Sequence, residues 1–173
     1  IKAMKFNIWY RLDIFTRLLT PFLLTLASVI LNIVPLEIPA FSRVVPLMPL
    51  MAVYHWAVYK SELLPAYAVF IIGLLQDIFS GVPIGVNTIV FLMVYGVVIW
   101  QHRFLFGKSF SIIWLGFSIV SAGAFLLMWL MISLWNLSFL DLRAVFFQYL
   151  LTGAIFPALA WVFMRWQKFV IRK

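Results

Sequence analysis

Two runs, FLLTLASVILNIV at residues 22–34 and AFLLMWLMISLW at 124–135, are apolar whichever way they are turned. They show neither the single stripe of a surface helix nor the alternation of a half-buried strand. Runs of this kind recur along 173 residues, of which 66% are hydrophobic and 10% charged, so the surrounding medium is a bilayer rather than water. In lipid each backbone N–H and C=O must find a partner inside the protein, which leaves helices and closed barrels as spanning structures. A barrel needs segments of about ten residues alternating polar and apolar. These runs do not alternate, so the expected fold is all-α. With about 20 apolar residues per crossing, the chain has room for six transmembrane helices, with five as the alternative, and for no extramembrane domain.

Residues 1–17 place Lys2, Lys5, Arg11 and Arg17 among Phe6, Ile8, Trp9 and Phe15, the composition of an interfacial N-terminal segment. No small-residue cleavage signature follows, so an uncleaved first helix is expected. A single integral domain is assigned to residues 18–164 and a basic tail to 165–173. Within the domain the spans read as 18–38, 44–59, 63–79, 84–100, 110–135 and 144–164. Pro35, Glu37 and Pro39 end the first. The second is short and carries Pro46 and Pro49 near its start, which predicts a tilted, kinked or partly re-entrant element. With the N-terminus inside, eleven of the 13 Lys and Arg fall on the inner side and only Arg43 and Arg143 on the outer one. Basic residues beside short loops are retained in the cytoplasm, so both termini are expected there. Trp56, Trp100, Trp114, Trp161 and Trp166 then lie toward the inner interface, with Trp129 and Trp135 toward the outer.

The formal charge of +8 is spread along the cytoplasmic edges rather than gathered on one face, which points to anionic lipids and away from nucleic acid. Cysteine is absent. His55 and His102 are far apart in sequence with no carboxylate at ligand spacing, so no metal or cofactor site is expected. No nucleophile with a base, phosphate loop or paired carboxylate is present, and the chain reads as no enzyme.

The residue that calls most for a partner is Asp77, because a carboxylate at membrane depth costs about 2.5–3.5 kcal/mol on insertion scales. It stands in Gly73-Leu-Leu-Gln-Asp77-Ile-Phe-Ser80-Gly81-Val-Pro83-Ile-Gly85-Val-Asn87, near the tip of a tight hairpin between spans three and four. Three roles are open to it: a proton or ion carrier, an anchor accepting hydrogen bonds from N–H groups at the start of the next helix, or part of a contact site for another membrane protein. Gly73, Gly81 and Gly85 suit turns or close packing, and Pro83 suits the entry into a helix. Ser118, Ser121, Gly123 and Ala124 form a second small-residue patch, suited to a helix contact within the chain or to a partner.

The spacing Gly73-x3-Asp77-x2-Ser80-Gly81-x3-Gly85-Val86, followed by an apolar helix and a basic turn, resembles the rod shape-determining MreD family. Pro46, Pro49, Tyr54 and Trp56 in span two and the Phe156-Pro157 step before the basic tail extend the resemblance over most of the chain. It implies a non-enzymatic, multi-pass subunit of the bacterial inner membrane in the machinery of lateral cell-wall elongation. The implied partners are the MreC scaffold, RodA with its transpeptidase, and MreB filaments indirectly. The family's fold is similar to the substrate-binding subunits of energy-coupling-factor transporters, so a vitamin-binding membrane subunit is the alternative function. The short outer loops, which offer few ligand groups, weigh against that alternative.

Overall fold

The computed structural model describes residues 19–34 and 44–171, and among these every regular element is helical. The elements are α1 (Leu19–Ile33), α2 (Met48–Tyr59), α3 (Ala66–Ser80), α4 (Val86–Trp100), the one-turn α5 (His102–Leu105), α6 (Phe110–Asn136) and α7 (Leu142–Ile171), with a 3-10 turn at Ser61–Leu63. The expected interfacial segment 1–17, the Pro35, Glu37 and Pro39 end of the first span, Arg43, and the last two residues lie outside the described residues.

Helices α6 and α7 are each long and apolar enough to cross a membrane; α1, α3 and α4 are apolar but shorter. The twelve residues of α2, rising about 1.5 Å each, extend only about 18 Å. It begins at Met48, after Pro46 has held Val45 out of the helical region, and Pro49 sits in the first turn where its missing N–H leaves no gap. Residues 44–47 are consequently non-helical. The segment from 165, expected as a basic tail, is helical and continues α7 to Ile171, since nothing after Pro157 breaks a helix.

Every residue of α2 from Pro49 to Val58 is buried. The other helices enclose it, which accounts for its apolarity on all faces. Phe117 of α6 stacks on Phe156 of α7 with centroids 4.1 Å apart, and Tyr54 meets both rings edge-on at 5.1 and 5.7 Å. The Tyr54 hydroxyl donates to the Ile113 carbonyl at 3.0 Å. This site joins α2, α6 and α7, and Gly116 makes room for it: a β-carbon there would lie 2.9 Å from the Tyr54 oxygen.

Pro157 lies inside α7 and cannot donate to the carbonyl four residues back, that of Gly153. The indole N–H of Trp114 donates to this same carbonyl across the α6–α7 interface, at 3.0 Å. Gly81, Val82, Pro83 and Ile84 share a cavity with Ile132, Trp135 and Asn136 at the end of α6, so turns 81–85 and 137–141 fall at one end of the bundle, called the hairpin end below. Lys60, Arg103, Lys108, Arg165 and Lys168 fall toward the other, the basic end.

Candidate functional site

Helix α3 ends at Ser80 because Gly81 adopts the left-handed conformation, φ +66°, that closes a helix C-terminus. The chain then turns through Val82, Pro83 and Ile84 to Gly85, whose φ of +108° is again open to glycine at little cost. Pro83, half-buried, offers its carbonyl to the N–H of Val86 at 3.3 Å. The resulting hairpin sets the N-terminus of α4 beside the last turn of α3, where Asp77 is fully buried.

Four donors converge on that carboxylate. Oδ1 accepts the N–H of Asn87 at 2.7 Å, while Oδ2 accepts the N–H of Gly85 at 2.8 Å, the N–H of Thr88 at 3.2 Å and the Thr88 hydroxyl at 2.7 Å. Three of these donors are N–H groups of the N-cap and first turn of α4, which find no partners within their own helix and carry the positive end of the helix dipole. Each of the partners named here is a donor, which suits the acceptor oxygens of a carboxylate. Asp77 thereby caps α4 from another helix, and Gly85, the N-cap residue, makes no side-chain cap of its own.

Gly73, one helical turn before Asp77 on α3, lets the two backbones meet. A β-carbon at Gly73 would stand 2.6 Å from the Thr88 α-carbon, a distance no side chain tolerates. Thr88 thus touches Gly73 with its backbone and Asp77 with both its N–H and hydroxyl. A second set of bonds begins one residue earlier. Gln76 Nε2 donates to Asn32 Oδ1 and to Ser80 Oγ, each at 2.8 Å, and the Ser80 hydroxyl donates to the Gln76 carbonyl at 2.6 Å. This links α3 to α1. Asn87 contributes its N–H to Asp77, while its side-chain oxygen is buried without a hydrogen-bond partner among the described residues.

Asn32 also donates through Nδ2 to the Pro46 carbonyl. From α7, Gln148 Nε2 donates to the Val45 carbonyl at 2.8 Å, and Thr152 Oγ1 accepts the Leu47 N–H at 3.1 Å. The non-helical entry to α2 is therefore held by three polar side chains from two neighbouring helices. Non-helical backbone is tolerated at membrane depth only with such satisfaction. Asn32, Gln148 and Thr152 were not among the residues singled out from sequence, and Trp114 was named only as an interfacial tryptophan. Their signal was available: each is a hydrogen-bonding side chain in an apolar helix of a chain that also has Pro46, Pro49 and Pro157 to compensate.

The small-residue patch on α6 divides between faces. Ser118 faces α7, its carbonyl accepting the Tyr149 hydroxyl at 3.1 Å, and Ser121 is buried. Gly123 and Ala124 instead line a cavity shared with α4. His55 is buried in an aromatic setting formed by Trp56, Tyr59 and Phe163, and His102 stacks on Phe106. Among the described residues no three His, Asp or Glu side chains gather as a metal site.

A family model described as rod shape-determining protein MreD matches residues 13–169, a stretch containing every helix just described except the last residues of α7. The chain belongs to the MreD family. It is accordingly a membrane protein of a family concerned with rod shape. No curated protein and no solved structure matches it. Within this MreD-family chain the hairpin and the α2 entry share one construction, in which a buried polar side chain occupies backbone groups that their own helix leaves free.

Proposed function

We propose that this MreD-family chain is a non-enzymatic, six-span subunit of the bacterial inner membrane that binds the MreC scaffold and helps organise lateral peptidoglycan synthesis. It acts beside RodA and its transpeptidase, and indirectly with MreB filaments. The family match over residues 13–169 carries this reading. The basic end faces the cytoplasm, as the retention of Lys and Arg requires, and both termini lie on that side. Short α2, about 18 Å long, covers little more than half of the roughly 30 Å hydrocarbon core by itself, and the anchored non-helical residues 44–47 continue its path.

The mode of action is association. The hairpin locked by Asp77, Gly81, Pro83 and Gly85 and the enclosed α2 make a body of fixed shape, and the apolar outer faces of α6 and α7 meet the membrane helices of partners by close packing. The test is affinity purification of the tagged chain from gently solubilised membranes, with identification of all retained proteins. An MreC-type scaffold with wall synthases is the expected result. ATPase and coupling subunits in their place would overturn the reading.

A further inference from the structure

Helices α4, α5 and α6 line a cavity of about 690 Å³, and the exposure of Met93 on α4 and of Leu115 and Ile119 on α6 leaves it open on the outer face of the bundle. Its wall is apolar from Val90 to Trp100 on α4 and from Ile112 to Leu127 on α6, and its polar members, Gln101 and Arg103, lie together at the basic end. Lys108 is held near this mouth, its ammonium 5.7 Å from the centroid of the Phe104 ring, and Phe104 lines the cavity. The shape is therefore that of an apolar slot with cationic side chains at one end only.

The depth of the slot selects its occupant. At about 1.5 Å per residue the lining stretches of α4 and α6 extend roughly 15 and 22 Å, against roughly 15 Å for one leaflet of a 30 Å hydrocarbon core. The slot stops at Val90 and Leu127, whereas α6 continues to Asn136. A partner helix crossing the whole bilayer would need a groove along the full length of α6. A lipid of one leaflet needs only this one.

We infer that the α4–α6 cavity is a binding site for an anionic phospholipid of the cytoplasmic leaflet, with its acyl chain in the slot and its headgroup phosphate against Arg103, Gln101 and Lys108. Basic pockets between membrane helices on the cytoplasmic side recognise anionic headgroups by this combination of charge and apolar depth. Gly123 forms part of the floor: a β-carbon there would meet nothing within 4 Å, so the acyl chain runs against bare helix backbone. The leaflet assignment rests on the proposed orientation; the site itself does not.

The test uses the purified full chain reconstituted into mixed vesicles of phosphatidylethanolamine and phosphatidylglycerol, re-extracted in mild detergent, with retained lipid identified by native mass spectrometry. Selective retention of phosphatidylglycerol is expected. Arg103→Gln and Lys108→Gln should each weaken it roughly fivefold, the effect of one surface charge near an anionic headgroup. Gly123→Leu should obstruct the slot and reduce retention, while the thermal midpoint of each variant confirms folding. Equal retention of the two lipids, or phosphatidylglycerol held undiminished by either the charge variants or Gly123→Leu, overturns the proposal. Gly123→Leu that loses the scaffold protein yet keeps its lipid gives the slot to a partner helix, which also overturns it. A scaffold pull-down that fails while selective lipid retention holds removes the functional reading alone.

Discussion

Replacing Asp77 by Ala removes the acceptor for four donors at once: the N–H groups of Gly85, Asn87 and Thr88 and the Thr88 hydroxyl. A hydrogen bond to a charged group contributes about 1.5–3 kcal/mol, so four would sum to about 6–12 kcal/mol if independent. Two corrections reduce this. The desolvation cost of the buried carboxylate disappears with it, and water at the hairpin end re-solvates part of the freed first turn of α4. A net loss of about 3–5 kcal/mol remains, which at about 2–4 °C per kcal/mol for a chain of this size lowers the unfolding midpoint by about 6–20 °C. Tryptophan fluorescence during heating of the purified protein in detergent measures it. Asp77→Asn keeps one oxygen but turns an NH2 donor toward N–H donors, so it should recover less than half of the loss. Thr88→Val, which removes only the hydroxyl, should cost about 1 kcal/mol. An Asp77→Ala protein melting within about 2 °C of the parent would refute the capping argument, because the loss would then lie below that of a single hydrogen bond.

Gly73→Ala forces a β-carbon to 2.6 Å from the Thr88 backbone and must splay α3 from α4; it should cost about 2–3 kcal/mol. The contrasting Gly123→Ala, in open space, should be neutral or stabilising by up to about 1 kcal/mol through helix propensity; equal effects of the two in denaturant titration would contradict the close-approach reading. Trp114→Phe keeps the ring but orphans the Gly153 carbonyl opposite Pro157; a loss of about 1 kcal/mol is expected, and Pro157→Ala in the same background should erase it, because the helix then supplies its own N–H. Gln148→Leu with Thr152→Val leaves the Val45 carbonyl and Leu47 N–H unpaired; a loss of about 2–4 kcal/mol should be accompanied by faster protease cleavage near residues 44–47.

What could be read in advance followed from composition and from residues whose geometry is local. Apolar runs indicated helices, and Gly81, Pro83 and Gly85 indicated the hairpin, because a left-handed turn restricts which residues can occupy it. The four donors on Asp77 come from a segment eight to eleven residues further on, near enough in sequence for the helix N-terminus to suggest itself as their source. The anchoring of residues 44–47 was not legible in the same way. Gln148 and Thr152 lie more than a hundred residues from the carbonyl and N–H they hold, and no local pattern reports a pairing set by which helices become neighbours. That α7 runs on through the basic tail to Ile171 was not legible for a related reason: basic charge indicates where the lipid ends and says nothing about whether the helix stops there.

Polar side chains among the described residues serve the backbone at three places. Asp77 caps α4; Asn32, Gln148 and Thr152 hold the non-helical entry to α2; Trp114 covers the carbonyl opposite Pro157. A membrane protein that binds a water-soluble vitamin needs the opposite arrangement, with polar side chains turned from their own backbone toward a common cavity. Here the cavity between α4 and α6 presents apolar residues along its length and polar ones only at its rim. The same distribution favours a body of fixed shape over one that changes shape in a transport cycle. Moving α3 against α4 would break four hydrogen bonds to one carboxylate, and moving α1 or α7 against α2 would expose unpaired backbone to lipid, at several kcal/mol for each group. A subunit that presents a constant surface to partner helices gains from that stiffness, because little conformational freedom remains to be lost when the complex forms.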